Sequence, residues 1–174
     1  MARGKPKAEP APLIYVDTCV YVDLLTMRTA LYPDTQEPQW MSAKALFDAV
    51  NDGRVRLAAS SLVDAEVCCF SRIRDHQEVH DKARGWFDAP STRYAEVDRF
   101  LARDAARISK ALAQRFPHAK QPNPADAVHM AVAVRLGCDY LMTHDEGFPL
   151  GHKVDDLVVQ RPETVWQLTV FDLH

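Results

Sequence analysis

Short unbroken apolar runs alternate with helix-period patterns along this chain. Leu13-Ile14-Tyr15-Val16 is apolar throughout, the mark of a strand covered on both faces. A helix is expected through Val20, Val22, Leu24 and Leu25, followed by an aperiodic loop from Thr29 to Gln39 that contains two prolines. Ala43, Leu46, Phe47 and Val50 repeat at helical spacing, and Asn51-Asp52-Gly53 supplies the stop. Val55 to Ala59 gives a second strand. Ser61-Leu62-Val63-Asp64 matches a capping box and marks the start of the next helix.

Further on, Glu78 to Phe87 predicts a helix and Tyr94 to Val97 a third strand. Leu101, Ala105, Ile108 and Leu112 then form the clearest apolar stripe in the chain, with Arg99, Arg103, Arg107 and Lys110 as its basic counterpart; Phe116-Pro117 ends this helix. Asn123-Pro124 opens another helix with a capping residue and a first-turn proline. Val128, Met130, Ala131, Val132, Val134 and Leu136 make that helix apolar almost all round, hence central, and Gly137 stops it. Strands over Asp139 to Met142 and Leu157 to Val159 complete the pattern. Alternation of this kind predicts an α/β domain with a mostly parallel central sheet flanked by helices.

With 174 residues, 47% of them hydrophobic, the chain can bury one substantial core. A single domain over residues 12–174 is expected, after a disordered lead-in over residues 1–11. That lead-in is basic and proline-containing but has no apolar run behind it, so it does not read as a secretory signal. No stretch is long and apolar enough to span a bilayer. Cys19, Cys68, Cys69 and Cys138 form neither a spaced disulfide framework nor a C-x-x-C metal pair. They read as buried reduced thiols, and the expected location is cytoplasmic. Trp40, Trp86 and Trp166 read as packing residues.

Charge adds one asymmetry. The net charge is −3, yet Arg72 to Lys120 holds eleven Lys/Arg against seven Asp/Glu. A basic middle beside an acidic cleft suits a phosphate-rich ligand approached through metal ions. The Arg99-Arg103-Arg107-Lys110 stripe fits either RNA phosphates or a solvated helix face.

Four acids stand where apolar side chains belong. Asp17 closes the first strand and Asp145 follows the run Tyr140-Leu141-Met142. Glu66 lies four residues after Leu62 and four before Phe70, on the apolar face of its helix, and Asp126 is in the first turn of the central helix. In parallel α/β sheets both strand C-termini and the following helix N-termini meet at one edge. Like charges gathered there repel, and a divalent cation relieves them; oxygen ligands without Cys or His point to Mg²⁺ or Mn²⁺. Thr18 and Thr143 are candidate donors to these acids, or ordinary strand-end threonines. Asp64 is explained as a helix-start acid and Asp139 as a hydrogen-bonding residue at a strand start. His129 and His144 read as local hydrogen-bonding residues outside the catalytic set.

The motifs Tyr15-Val16-Asp17-Thr18, Ser60-Ser61-Leu62-Val63-Asp64-Ala65-Glu66, Asp126-Ala127-Val128-His129-Met130-Ala131 and Thr143-His144-Asp145-Glu146-Gly147-Phe148 resemble, in order and spacing, those of the PIN-domain ribonucleases. Bacterial members of that family include VapC-type toxins. The resemblance runs from about Leu13 to Trp166. It implies that Asp17, Glu66, Asp126 and Asp145 are the catalytic, metal-binding acids of a Mg²⁺- or Mn²⁺-dependent endoribonuclease. It also implies products with 5′-phosphate and 3′-hydroxyl ends and an antitoxin protein as partner; a homodimer is a further expectation.

Three departures stand out. Cys19 occupies a position where many relatives have Asn or Ser, Gly147 stands where an Asp is common, and the Thr29 to Gln39 loop is long for a compact toxin. Two alternatives stay open: a non-catalytic RNA- or protein-binding module on the same fold, and a receiver-like phosphoacceptor domain. The second wants adjacent acids after the first strand, which Asp17 lacks.

Overall fold

A computed structural model describes residues 10–162. Nearly all of the expected lead-in, and Trp166 with it, lies outside the described residues. In chain order the elements are β1 (Leu13–Val16), α1 (Thr18–Thr26), α2 (Gln39–Asn51), β2 (Arg56–Ser60), α3 (Ser61–Cys69), α4 (Ser71–Arg74), α5 (Gln77–Phe87), β3 (Arg93–Ala95), α6 (Arg99–Arg115), α7 (Pro124–Arg135), β4 (Tyr140–Met142), β5 (Lys153–Val154) and β6 (Leu157–Gln160). The sheet order is β3-β2-β1-β4-β6-β5. Every pair is parallel except the β5–β6 edge. This is the α/β architecture with a mostly parallel sheet that the alternating pattern predicts.

All four residues of β1 are buried. Consecutive burial means both faces of the strand are covered, which is why its run is apolar without alternation. Two groups of helices provide the cover. Helices α1 to α5 pack against one another, while α6 packs most extensively on α7. The stripe Leu101, Ala105, Ile108 and Leu112 is the buried face of α6. In α7, Ala127, Ala131 and Ala133 are buried beside Met130 and Val132, and small side chains of this kind allow close approach. Gly53 (φ 70°) and Gly137 (φ 66°) follow α2 and α7 in the left-handed region that favours glycine, as their stop signals require.

Several details differ from the sequence expectation. The cap of α3 is Ser60, not Ser61: Ser60 is extended, its Oγ accepts from Val63 N at 3.4 Å, and Ser61 is already helical. Ser61 Oγ instead accepts from Val97 N at 3.0 Å, which fixes the chain beyond β3. β3 starts one residue earlier than expected and ends at Ala95. Among the thiols only Cys138 is buried; Cys69 is exposed, and Cys19 and Cys68 are intermediate. Trp86 does pack, 4.3 Å from the Phe47 ring. The Thr29 to Gln39 segment is irregular, as expected, but tied down: Leu31 bridges Pro38, and Tyr32 is buried with its hydroxyl 2.6 Å from Ser42 Oγ. No helix among the described residues is long and apolar enough to cross a membrane.

Candidate metal centre and acidic cleft

The register of the sheet brings the first and last acids together. Val16 pairs with Met142, so β1 and β4 end level, and Asp17 N donates to Met142 O at 2.9 Å. Asp17 then caps α1, its Oδ1 accepting from Thr18 N at 2.8 Å. Asp126 sits in the first turn of α7 because Asn123 caps that helix reciprocally: Asn123 Oδ1 accepts from Asp126 N, and Asp126 Oδ2 accepts from Asn123 N, both at 2.9 Å. Glu66 comes from the second turn of α3. Asp17, Glu66, Asp126 and Asp145 all line one open cleft of about 480 Å³, with Arg28 and Phe70 on its walls.

Hydroxyl donors hold these acids. Thr143 Oγ1 donates to Asp17 Oδ2 at 2.9 Å and accepts from Asp145 N at 3.0 Å, so one threonine links two of the acids. Thr18 Oγ1 donates to Glu66 Oε2. Both threonines therefore contact the acids, as one of their two sequence readings had it. Asp145 Oδ1 accepts from Gly147 N at 2.7 Å, and Lys120 Nζ stands 3.7 Å away. A side chain at position 147 would crowd this arrangement, since an added Cβ would lie 3.1 Å from Asp145 Oδ1.

Burial and mutual repulsion act on Asp126. Desolvation is the larger cause, opposed by the Asn123 bond, and the charges of Asp17 and Asp145 push its carboxyl further above the ordinary value. Glu66 shifts the other way: burial raises it, but the bonds from His129 and Thr18 and the His129 charge together bring it below. Cys19, the first departure, behaves as a donor. Its Sγ is 2.9 Å from Asp17 Oδ2, and burial, then the Asp17 charge, hold the thiol well above its ordinary value. Its S–H thus serves the carboxylate as a serine hydroxyl would.

His129 takes a larger part than the sequence indicated. It is buried in α7, with Nε2 at 2.9 Å from Glu66 Oε2 and 3.7 Å from Asp17 Oδ1, and Nδ1 at 2.8 Å from the Tyr15 hydroxyl. Tyr15 in turn reaches Ser60 Oγ at 2.8 Å. His144 remains apart from the acids: its Nδ1 pairs with the buried Asp23 Oδ2 at 2.7 Å, the interior acid of α1. Asp64 and Asp139 are structural. Asp64 accepts from Tyr94 Oη at 3.1 Å, and Asp139 Oδ2 accepts from Leu13 N at 2.7 Å. The basic stripe of α6 is exposed; Arg99 and Arg103 lie over the Phe100 ring and Arg107 pairs with Asp155.

Whether this donor set suits a divalent cation can be judged by type and by arrangement. The type fits, because all four are carboxylates and Glu66 takes both of its bonds on Oε2, leaving Oε1 without a donor among the described residues. As arranged, no group of three or more His, Cys, Asp or Glu side chains among the described residues is poised to hold an ion.

Residues 14–150 match the model of the PIN domain. Among solved structures, the fold is similar to VapC20 of Mycobacterium tuberculosis, a Sarcin-Ricin loop cleaving toxin, with 18% identity, a TM-score of 0.53, and 76% of this chain and 89% of that one covered. FitAcB from Neisseria gonorrhoeae aligns at 19% identity and a TM-score of 0.54, covering 87% of this chain and 99% of that one. VapBC2 from Rickettsia felis, bound to a DNA fragment from its promoter, aligns at 13% and 0.54, covering 86% and 98%. A comparison with curated protein sequences gives no significant match. At these identities the solved structures speak for the fold, one typical of nucleases, and the family match covers most of the sequence. The chain belongs to the PIN-domain family.

Proposed function

We propose that this protein is a metal-dependent endoribonuclease and that Asp17, Glu66, Asp126 and Asp145 are its catalytic and metal-binding acids. The observation that carries this reading is the convergence of four carboxylates, from four separated segments, on a single cleft. Isolated surface acids have no reason to share one cavity, and their repulsion there opposes folding.

Asp17 and Asp126, the two buried acids, would hold Mg²⁺ or Mn²⁺ with Glu66 and Asp145 completing the set. When bound, the ion supplies positive charge against the phosphodiester and acidifies a water for attack. The rest falls to the protein. Thr143 fixes Asp17 and the backbone of Asp145, and Thr18 and His129 fix Glu66. Arg28 on the cleft wall and Lys120 beside Asp145 offer cations to the phosphates that flank the scissile one. The family resemblance implies 5′-phosphate and 3′-hydroxyl products.

A role as the toxin of a toxin–antitoxin pair rests on the likeness to VapC20, a Sarcin-Ricin loop cleaving toxin. An acidic cleft of this kind also suits a partner that inserts an Arg or Lys. Purified protein should cleave structured RNAs with Mn²⁺ and stop with EDTA; undiminished cleavage in EDTA would end the mechanism. Induction in a bacterial host should arrest growth with wild type and not with Asp126→Asn. Normal growth despite cleavage in vitro would remove the toxin role and leave the nuclease. The family match leaves the receiver-like alternative without support, whereas a catalytically silent binding module is what a failure of the cleavage assay would indicate.

A further inference from the structure

A second cavity, of about 260 Å³, opens directly beside the acidic cleft. Its walls come from the end of α6 (Phe116), the connection Ala119–Pro122, and the turn Glu146–Leu150 with His152. The two segments that build it are the ones that lead into the acids: Pro122 precedes the α7 cap Asn123, and Glu146 follows Asp145. Lys120 lies at the boundary, lining the cavity while its Nζ stands 3.7 Å from Asp145 Oδ1. Gly147 lines the cavity and donates to Asp145; an added Cβ there would lie 3.4 Å from Lys120 Nζ.

The lining combines aromatic and apolar side chains with Lys120, Gln121 and Glu146. Phe116 and His152 form a ring pair, centroids 4.7 Å apart and planes inclined at 41°, and Phe148, Pro122, Pro149 and Leu150 complete the apolar surface. The connection is held in shape by Gln121 Nε2, which donates to the carbonyls of Phe116 and Ala119 at 2.8 and 3.0 Å. A cavity at the small end of ligand sites, with aromatic side chains in its wall and a cation at its edge, accepts a planar heteroaromatic ring joined to a phosphate.

We propose that this cavity is a nucleobase subsite: it takes one unpaired base of the RNA next to the scissile bond, stacked on Phe116 and His152, with the connecting phosphate passing Lys120. The proposal rests on the nuclease reading above. Bases can be accepted this way only from single-stranded or looped RNA, because a paired base presents no free face. The subsite would therefore select loops and bias the base flanking the cut.

The test uses a short single-stranded RNA of alternating 2-aminopurine and uridine, whose fluorescence is quenched by stacking. Titrated with the full-length protein in Ca²⁺, it should be quenched by wild type. His152→Ala and Phe116→Leu should lose most of that quenching and bind about tenfold more weakly, the loss expected for one stacking surface. His152 is exposed, so its variant should fold as wild type does, which a thermal melt verifies. No quenching by wild type, or equal quenching by a folded His152→Ala, overturns the subsite; the second result would leave the cavity to an apolar side chain of a protein partner. Cleavage of the same strand in Mn²⁺ is read separately. A strand that is quenched but not cut upholds the subsite and leaves the nuclease to the assay on structured RNAs, whereas one cut without quenching upholds the nuclease and overturns the subsite.

Discussion

His129 Nε2 lies 2.9 Å from Glu66 Oε2, and its other nitrogen lies 2.8 Å from the Tyr15 hydroxyl. An ionised carboxylate only accepts, so Nε2 carries a proton. The Tyr15 hydroxyl meets Nδ1 on one side and Ser60 Oγ, at 2.8 Å, on the other. Burial holds the Tyr15 phenol well above its ordinary value, which keeps it protonated for this part. A buried hydrogen-bonded row thus runs from the sheet to the acid.

His129→Gln should therefore weaken Mn²⁺ binding through Glu66, by roughly tenfold or more on the scale of outer-shell partners. Calorimetric titration of wild type and variant decides this; unchanged affinity would make His129 a core residue only. Tyr15→Phe should cost about 1–3 kcal/mol of stability, because it leaves the buried Nδ1 of His129 without its partner.

Glu66→Gln keeps the shape of the side chain and removes its charge. Metal affinity and cleavage should fall together. A surface acid would give a silent substitution, so equal Mn²⁺ affinities would withdraw Glu66 from the site.

Asp126→Asn should raise the melting temperature of the metal-free protein. The folded carboxyl is raised above its unfolded value, by burial first and by Asp17 and Asp145 besides, so its favourable contribution is complete below the unfolded pKa and lost as pH rises through the folded one. The gain from the substitution should therefore appear near neutral pH and fade as the medium is acidified below the carboxylate range. Glu66 acts with opposite sign: its lowered value contributes stability above the unfolded pKa, lost as pH falls through the folded one. Melts across pH on Asp126→Asn and wild type separate the two; a gain that persists unchanged in acid would refute the repulsion argument.

Thiol alkylation should label Cys69 first, since it is exposed, and Cys138 last, since it is buried and burial pushes its thiol up to about 12. Cys19→Ser should preserve activity and Cys19→Ala reduce it, because only the hydroxyl retains the donor to Asp17. Equal loss in both would mean that packing, not the hydrogen bond, matters at position 19.

Much of this architecture is legible in the residues, and the gaps have physical causes. The buried stripe of α6 and the apolar run of β1 carry strong periods, so both elements stand where their patterns put them. Helix α4, with four residues, and β5, with two, are too short to carry any period. β5 exists only through its antiparallel pairing with β6 across a turn in which Asp155 has φ 53°. The four acids were visible because each breaks an apolar pattern. His129 reads in the sequence only as a local hydrogen-bonding residue, because its partners Glu66 and Tyr15 lie 63 and 114 residues away. Asp23 did leave a signal, an acid inside the run Val20 to Leu25, and it marks the buried pair with His144.

The claim that the four carboxylates act as one site is tested most directly by cleavage of one end-labelled RNA in Mn²⁺ with Asp17→Asn, Glu66→Gln, Asp126→Asn and Asp145→Asn beside wild type, each checked for a cooperative melt. Loss of one acid from a shared metal site should lower the rate by about 100-fold or more in every variant, in line with a few kcal/mol of transition-state stabilisation, and EDTA should abolish what remains in wild type. A folded variant that cleaves at the wild-type rate, or cleavage that persists in EDTA, would contradict the account.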